Sequence, residues 1–275
     1  MASLIRRAVE SMGPLRDVTF TVYLGDGRRS FGGLPVLAFC RYQRSMEGVL
    51  VPDFSFFDWP EIRLANGPST EFSRLLDLYA ALPRDYYAKT NDVFWRGTNL
   101  ARRGATVSLI TAEHAAWNGS IGLDVEFTTW LKQSSTTGGE ITNNAASLLE
   151  FCAHRYLLHL DGHTYSSRLK YLLLCGSTVL AGTQSWHEWF YPLLDGHHVP
   201  LGAQASGFSA ALRWLHARTH AAETMAASAQ ALVLRAFAQK EVDYYIASVI
   251  DALAEAGFTN HGSRGPGTLI SEFVC

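Results

Sequence analysis

The chain has 275 residues, of which 48% are hydrophobic, 12% aromatic and 17% charged, and its formal net charge is -2. This hydrophobic share predicts a folded globular protein with one large or two modest domains, and it excludes a disordered or fibrous chain. The nearly balanced charge provides no basic field for nucleic acid or for an anionic membrane, so any anion site must be local.

The first part of the chain alternates predicted strands with polar loops. Residues 17–24 (DVTFTVYL) are rich in β-branched and aromatic residues, and residues 35–39 (PVLAF) form a second short apolar run. Residues 75–82 predict a short amphipathic helix, and residues 93–97 (VFWRG) predict a strand that ends at a turn. Residues 107–114 fit either a helix or a strand.

A polar stretch separates this part from the rest of the chain. Residues 133–144 (QSSTTGGEITNN) contain almost no apolar residue and are typical of a linker. We therefore place a domain boundary between residues 140 and 141, which predicts domains at 1–140 and 141–275.

The second part alternates helical and strand patterns. Residues 145–160 predict a helix or turn followed by a strand, residues 166–176 a helix, residues 177–182 a strand and residues 186–194 another helix. From residue 207 onward, two alanine-rich segments have the periodicity of long helices. This alternation predicts an α/β fold with a helical C-terminus.

One stretch, DGHTYSSRLKYLLLC at 161–175, leads from a polar turn into an apolar element. A turn that leaves a strand and opens a helix presents unpaired N–H groups, which favour an anion. With Ser166 or Ser167 as the N-cap, Arg168 and Lys170 would lie in the first turn, where the helix dipole disfavours cations. A bound anion such as a diphosphate would reconcile these charges; the alternative is that both cations are simply solvated.

Three further patterns bear on the class of protein. The four cysteines show no CxxC motif and no zinc-ligand spacing, so no metal site is predicted. The N-terminal residues lack the apolar core of a signal peptide, and no apolar run is long enough to cross a bilayer. Asn118-Gly119-Ser120 is a glycosylation sequon, a triplet that also arises by chance.

Five blocks of the sequence carry a resemblance to a known family. They are DVTFTVYLGD (17–26), PVLAF (35–39), VFWRGT (93–98), CAHRYLLHLDGHTYSSRLKYLLLCGS (152–177) and HEWFYPLLDGHHVPL (187–201). In order and approximate spacing they resemble the protein O-glucosyltransferase and capsule-associated xylosyltransferase group, the Rumi-like glycosyltransferases of family 90. The resemblance covers about residues 15 to 215.

The resemblance implies a GT-B architecture with two Rossmann-like lobes facing a cleft. Residues 1–140 would form the acceptor-side lobe, part of which we expect to lie outside this chain, and residues 141–275 the nucleotide-sugar-binding lobe. The implied enzyme is a metal-independent, inverting transferase without a cofactor. It would move glucose or xylose from UDP-glucose or UDP-xylose to a hydroxyl of a protein or polysaccharide acceptor.

The resemblance also implies a location and a disulfide. Members of this group work in the lumen of the secretory pathway, in the endoplasmic reticulum or Golgi, although this chain shows no signal peptide. Cys152 and Cys175 match cysteines that pair in secretory members.

By resemblance, a UDP-binding set comes from three of the blocks. The implied residues are Arg96, Thr98, Gly162, Ser166, Ser167, Arg168 and Glu188. Arg168 would neutralise the diphosphate leaving group, as a metal ion does in other enzymes. Glu188 would accept hydrogen bonds from the ribose or steady its turn. Trp186, Trp189 and Phe190, around Glu188, are expected to pack in the core.

An inverting transfer needs a base that takes the proton of the acceptor hydroxyl. Asp26 follows a predicted strand and matches the catalytic aspartate of the family, with Asp58 in FFDWPEI as a competitor that the order of the blocks disfavours. The family usually has an aromatic residue and proline after this aspartate, whereas Gly27 and Arg28 follow Asp26. This departure leaves an alternative open, a catalytically inactive relative that binds a sugar or a protein.

Overall fold

The computed structural model describes residues 2–23, 35–43, 48–56, 72–82, 85–100, 103–130, 141–142 and 145–258. These residues divide into two compact units. Unit 1 comprises those within Met1–Asp77, Trp186–Tyr191 and Arg235–Cys275, and unit 2 comprises those within Leu78–Ser185 and Pro192–Leu234.

Unit 1 contains a small parallel sheet and two packed helices. Its strands are β1 (Thr21–Tyr23), β2 (Val36–Ala38), β3 (Arg41–Tyr42), β4 (Val49–Leu50) and β10 (Trp186–His187). Strands β1, β2 and β4 pair in parallel in that order, and β3 pairs with β10 in antiparallel orientation. Helix α1 (Ala2–Met12) packs against α8 (Gln239–Glu255), and an ion pair joins Arg7 Nε to Asp243 Oδ1 at 3.1 Å.

An aromatic cluster forms much of the core of unit 1. The ring of Trp189 lies 5.7 Å from Phe56, 5.3 Å from Phe237 and 4.7 Å from Tyr245, between centroids. Phe190 is fully buried. The predicted packing role of Trp189 and Phe190 is therefore confirmed.

Unit 2 is built on a six-stranded sheet with the order β11-β9-β8-β5-β6-β7. Its strands are β5 (Thr90–Thr98), β6 (Gly122–Trp130), β7 (Ile141–Thr142), β8 (His154–His159), β9 (Thr178–Ala181) and β11 (Val199–Pro200). All neighbouring strands are parallel except β7, which runs antiparallel to β6. Parallel neighbours need a crossover between them, and the helices at Arg103–Ala115 and Leu169–Leu174 supply it between β5 and β6 and between β8 and β9.

The described residues form helices in both units. These helices are α2 (Phe72–Ala80), α3 (Arg103–Ala115), α4 (Leu148–Phe151), α5 (Leu169–Leu174), α6 (Phe208–Ala217) and α7 (Thr219–Ala236), besides α1 and α8. Trp95 of β5 and Leu158 of β8 share one apolar core with Ile110 of α3 and Leu212 of α6. On the opposite face, Phe94 packs edge to face against Phe151 of α4 at 4.9 Å.

The α/β class and the helical C-terminus are confirmed, and the ambiguous residues 107–114 are helical. The helix predicted over 186–194 is not formed: the chain makes the short strand β10 and a 3-10 turn at Tyr191–Leu193. Pro192 explains the difference, because it has no N–H to continue a helix from the preceding turn. No helix in the described ranges is long and apolar enough to cross a membrane.

The division into units differs from the boundary predicted between residues 140 and 141. Strand β5 precedes that boundary, yet it pairs with β8, which follows it. The polar stretch contains β7, which pairs with β6, so it follows β6 within one sheet. Polar composition marks a surface connection, and it does not distinguish a loop within a sheet from a linker between domains.

A disulfide joins Cys152 to Cys175, as the resemblance implied. Lys89 reinforces this link, since its Nζ donates to the carbonyl oxygens of Cys152 at 2.5 Å and of Cys175 at 2.9 Å. It also donates to Ser177 Oγ at 3.0 Å. Burial lowers the pKa of Lys89 to about 8.

Candidate functional site

The polar turn lies at the carboxyl edge of the six-stranded sheet in unit 2. Strand β8 ends at His159, and Asp161 and Gly162 lead from it into the turn. Thr98 ends the neighbouring parallel strand β5 at the same edge. Ligands of open parallel sheets bind in the crevice outside the carboxyl ends of the strands. The fold therefore brings the predicted residues at 96–98 and 162–168 to an edge suited to a ligand.

Arg168 connects the turn to β5. Its Nη1 donates to the carbonyl oxygen of Arg96 at 2.5 Å, and its guanidinium lies 5.1 Å from the centre of the Phe151 ring. Burial lowers the pKa of Arg168 to about 10, and the positive charge of Arg103 acts in the same direction. Arg168 therefore stays charged at neutral pH, and two residues predicted from separate blocks are in direct contact.

The start of α5 differs from the prediction. Arg168, with φ -74° and ψ -26°, is the N-cap residue and makes no side-chain cap hydrogen bond, so neither Ser166 nor Ser167 takes that position. The carbonyl oxygen of Ser166 instead accepts a hydrogen bond from the N–H of Leu169 at 3.3 Å. Because α5 has only six residues, its dipole is weak, and the side-chain cations are the main source of attraction for an anion.

The alternative of two solvated cations is wrong. Lys170 is fully buried, with its Nζ 5.6 Å from the centre of the Tyr171 ring. Arg168 is half-buried. Buried cations need compensation, because taking a charge out of water is costly unless it is paired or hydrogen-bonded.

Arg103, the first residue of α3, is a site residue that sequence reasoning missed. Its Nε donates to the carbonyl oxygen of Asp161 at 2.7 Å, its Nη2 to that of Leu160 at 3.1 Å and its Nη1 to that of Thr98 at 3.3 Å. It therefore ties the turn after β8 to the end of β5. Burial lowers the pKa of Arg103, and the Asp161 carboxylate opposes this shift.

His159 lies among these cations at the end of β8. It is 2% exposed, and its Nε2 is 3.9 Å from Asp161 Oδ1, with no hydrogen-bond partner within the described part of the chain. Burial is the largest cause that lowers its pKa to about 3, so the imidazole is neutral at physiological pH. Arg103 and Arg168 add most to this shift after burial, followed by His198, when it is protonated, and by Lys170. Although the whole chain is slightly acidic, this edge carries the local positive field that an anion site requires.

The Arg96 side chain is engaged within its own sheet. Its Nη1 lies 2.7 Å from Asp124 Oδ1 on β6 and 3.0 Å from the carbonyl oxygen of Asp124, and its guanidinium lies 4.5 Å from the Phe94 ring centre. Its carbonyl, rather than its charge, contacts Arg168. Gly97 is part of β5 and not of a turn, and a Cβ there would lie 2.5 Å from the ring of Trp95.

The remaining polar residues shape the turn. Asp161 Oδ2 accepts a hydrogen bond from the N–H of Ser185 at 2.9 Å, which ties the turn to the segment after β9. A Cβ on Gly162 would lie 3.2 Å from the carbonyl oxygen of Tyr165, so this position leaves little room for a side chain. Thr98 Oγ1 lies 3.5 Å from Thr128 Oγ1, at the limit of a hydrogen bond.

Residues 13–259 match the profile of Glycosyl transferase family 90. The chain belongs to this family. The resemblance seen in the five sequence blocks is thereby confirmed, and the polar turn and its cations lie within the matched range.

Curated relatives of this family 90 chain include protein O-glucosyltransferase 1 of Mus musculus, which is 23% identical over 222 residues, covering 77% of this chain and 55% of the relative. The O-glucosyltransferase rumi homolog of Anopheles gambiae is 27% identical over 180 residues, covering 63% and 43%. The chain thus spans about half the length of the curated relatives it matches. Among solved structures, Anabaena Alr3699/HepE in complex with UDP-glucose is 12% identical with a TM-score of 0.47, covering 79% of this chain and 64% of that one.

Two predicted residues of this family 90 chain are not among the residues described for unit 2. Glu188 is 1% exposed in unit 1, where its carbonyl oxygen accepts a hydrogen bond from the N–H of Tyr191 at 3.2 Å. Asp26 lies outside the described residues, as does its competitor Asp58. The roles of Glu188 and Asp26 therefore stay predictions.

Proposed function

We propose that this chain binds a UDP-sugar and transfers its glucose or xylose, with inversion, to a hydroxyl of a protein or polysaccharide. The observation that carries the proposal is that Arg168 and Arg103 are both bonded to main-chain carbonyls at the carboxyl edge of a parallel sheet, beside the polar turn. The names of the curated relatives favour glucose as the sugar and a protein as the acceptor.

The positive field suits the departure of UDP. When the bond between the anomeric carbon and the diphosphate breaks, negative charge grows on the leaving phosphate, and positioned cations stabilise that charge most in the transition state. In the proposed role, Arg168 binds the diphosphate, while Arg103 holds the turn through three main-chain carbonyls. Independence from a metal ion is part of this proposal.

The remaining predicted residues complete the proposal. Gly162, Ser166 and Ser167 supply backbone and hydroxyl groups to UDP, with Thr98 of the neighbouring strand. Arg96 acts through its carbonyl, which positions Arg168. Glu188, which is 1% exposed, would accept hydrogen bonds from the ribose or steady its turn.

On the acceptor side we assign the base to Asp26. Its carboxylate would take the proton of the acceptor hydroxyl while that oxygen attacks the anomeric carbon on the face opposite UDP, and this geometry inverts the configuration. The disulfide between Cys152 and Cys175 supports a place in the lumen of the secretory pathway, because such bonds persist in oxidising compartments.

Release of UDP from a panel of UDP-sugars tests the proposal. We expect turnover with UDP-glucose or UDP-xylose that Asp26→Asn abolishes, while Asp26→Asn leaves UDP binding intact. The matched control is Asp85→Asn, an exposed aspartate in unit 2. UDP binding without turnover, unchanged by Asp26→Asn, would instead identify an inactive relative that binds a sugar or a protein.

A further inference from the structure

The loop between α3 and β6 carries the only Asn-x-Ser/Thr triplet of the sequence, Asn118-Gly119-Ser120. All three of its residues are exposed. We propose that Asn118 is a site of N-linked glycosylation, so that this chain is itself a glycoprotein. The proposal rests on the secretory location proposed above and is independent of transferase activity.

Hydrogen bonds fix the loop on both sides of the triplet. The N–H of Trp117 donates to the carbonyl oxygen of His114 at 2.8 Å, and His114 Nε2 lies 2.9 Å from the carbonyl oxygen of Ile121. Asn91 Nδ2 donates to the carbonyl oxygen of Ser120 at 2.9 Å. These bonds use main-chain atoms of the loop, and among the described residues none engages the Asn118 amide or the Ser120 hydroxyl, which face a modifying enzyme as exposed groups.

Gly119 suits the middle position of the triplet for a steric reason. A Cβ there would lie 2.1 Å from the ring of Trp117, so glycine lets this half-buried ring lie close against the loop. The apolar ring therefore covers the inner side of a loop whose polar residues stay exposed. A bulky glycan needs such a surface loop, since it cannot be buried.

In the proposed modification, the oligosaccharide is transferred to Asn118 from a lipid-linked oligosaccharide diphosphate. Asn118 Nδ2 attacks the anomeric carbon of the first sugar, a carbon–nitrogen bond forms, and the bond from that carbon to the diphosphate oxygen breaks. The lipid diphosphate leaves, and the transferase that catalyses the step takes one proton from Nδ2. The Ser120 hydroxyl is the part of the triplet that this enzyme recognises.

The loop and the candidate site lie at opposite edges of the same sheet. Ser120 is bonded to Asn91 near the start of β5, whereas Arg103 is bonded to Thr98 at the end of that strand. Seven residues of strand at roughly 3.3 Å each separate the two edges by about 23 Å. We therefore expect a glycan on Asn118 to leave UDP binding unchanged.

The test is expression of the full chain behind a cleavable leader that directs it into the endoplasmic reticulum of a eukaryotic host. We expect one step of slower gel mobility, which an amidase specific for N-linked glycans removes while converting Asn118 to aspartate in the peptide mass. Asn118→Gln and Ser120→Ala should abolish the step, and the matched variant Ser120→Thr should keep it.

Two results would overturn the proposal. One is wild-type chain that forms the Cys152–Cys175 disulfide in the lumen and carries no glycan; the other is a mobility step that persists in Asn118→Gln. UDP binding, measured on the same preparations, separates this proposal from the proposed function. A chain that lacks the glycan and binds UDP counts against the site alone, and a glycosylated chain that does not bind UDP counts against the transferase alone.

Discussion

Replacement of Arg103 by methionine should destabilise unit 2, because Arg103 ties the turn after β8 to the end of β5. Its guanidinium makes hydrogen bonds of 2.7 and 3.1 Å to the carbonyl oxygens of Asp161 and Leu160, and one of 3.3 Å to that of Thr98. Hydrogen bonds that involve a charged group contribute about 1.5–3 kcal/mol each to stability. The methionine variant loses these bonds, but it also avoids the cost of burying a charge, which offsets part of the loss. We expect the free energy of unfolding to fall by about 2–4 kcal/mol.

Chemical denaturation followed by tryptophan fluorescence measures this change. Arg213→Met removes an exposed arginine of the same unit and should change the free energy of unfolding by less than about 0.5 kcal/mol. Arg103→Lys keeps the charge but has no planar fork to span three carbonyls, so it should lose nearly as much as Arg103→Met. If Arg103→Met and Arg213→Met behaved alike, Arg103 would not hold the turn to β5.

Two further predictions concern stability. Cys152→Ala combined with Cys175→Ala should lower the free energy of unfolding by about 3 kcal/mol, because the disulfide closes a span of 23 residues; denaturation with and without reductant checks this, and a loss below about 1 kcal/mol would contradict it. For His159, the pKa is about 3 in the folded chain against 6.5 for the free side chain, so the unfolded chain binds more protons between these values. Stability should therefore fall as the pH drops from 6.5 towards 3, by up to about 1.4 kcal/mol per pH unit. His159→Asn should reduce this slope, and equal slopes in both proteins would show that His159 is not buried in its neutral form.

Short-range patterns were sufficient for most of the elements in unit 2. β-Branched and aromatic residues predicted a strand at 93–97, which is the central part of β5. The leucine-rich run after the polar turn predicted a helix, and α5 forms there, although it begins at Leu169 and not after a serine cap. These elements follow from local propensity and from the spacing of apolar residues, which a sequence displays directly.

Long-range pairing could not be predicted in the same way. The boundary between residues 140 and 141 failed as a division because β5 and β8, on either side of it, are neighbours in one sheet. Arg103 was missed for a related reason: its strongest partner, the carbonyl of Asp161, is 58 residues away. Every residue has a main-chain carbonyl, so the sequence does not mark the ones that an arginine binds. The role of such an arginine therefore cannot be predicted from a partner side chain.

The candidate site was predictable in part. The residue pattern pointed to the turn and Arg168, and the resemblance supplied their UDP role and the pairing of Cys152 with Cys175. The burial of Lys170 and the neutral state of His159 depend on which residues the fold places around them. Burial and neighbouring charge set a pKa, and neither can be read from spacing.

The most direct test of the account compares the affinities of UDP and uridine by calorimetry, in the wild-type chain and in Arg168→Ala. If the cationic edge binds the diphosphate, UDP should bind more tightly than uridine. Arg168→Ala should lower UDP affinity by about 10–100-fold, because that is the free energy that a hydrogen bond between charged groups contributes. Uridine affinity should stay unchanged, and Arg213→Ala should match the wild type. Equal affinities for UDP and uridine, or UDP binding that Arg168→Ala leaves intact, would contradict the assignment of this edge to the diphosphate.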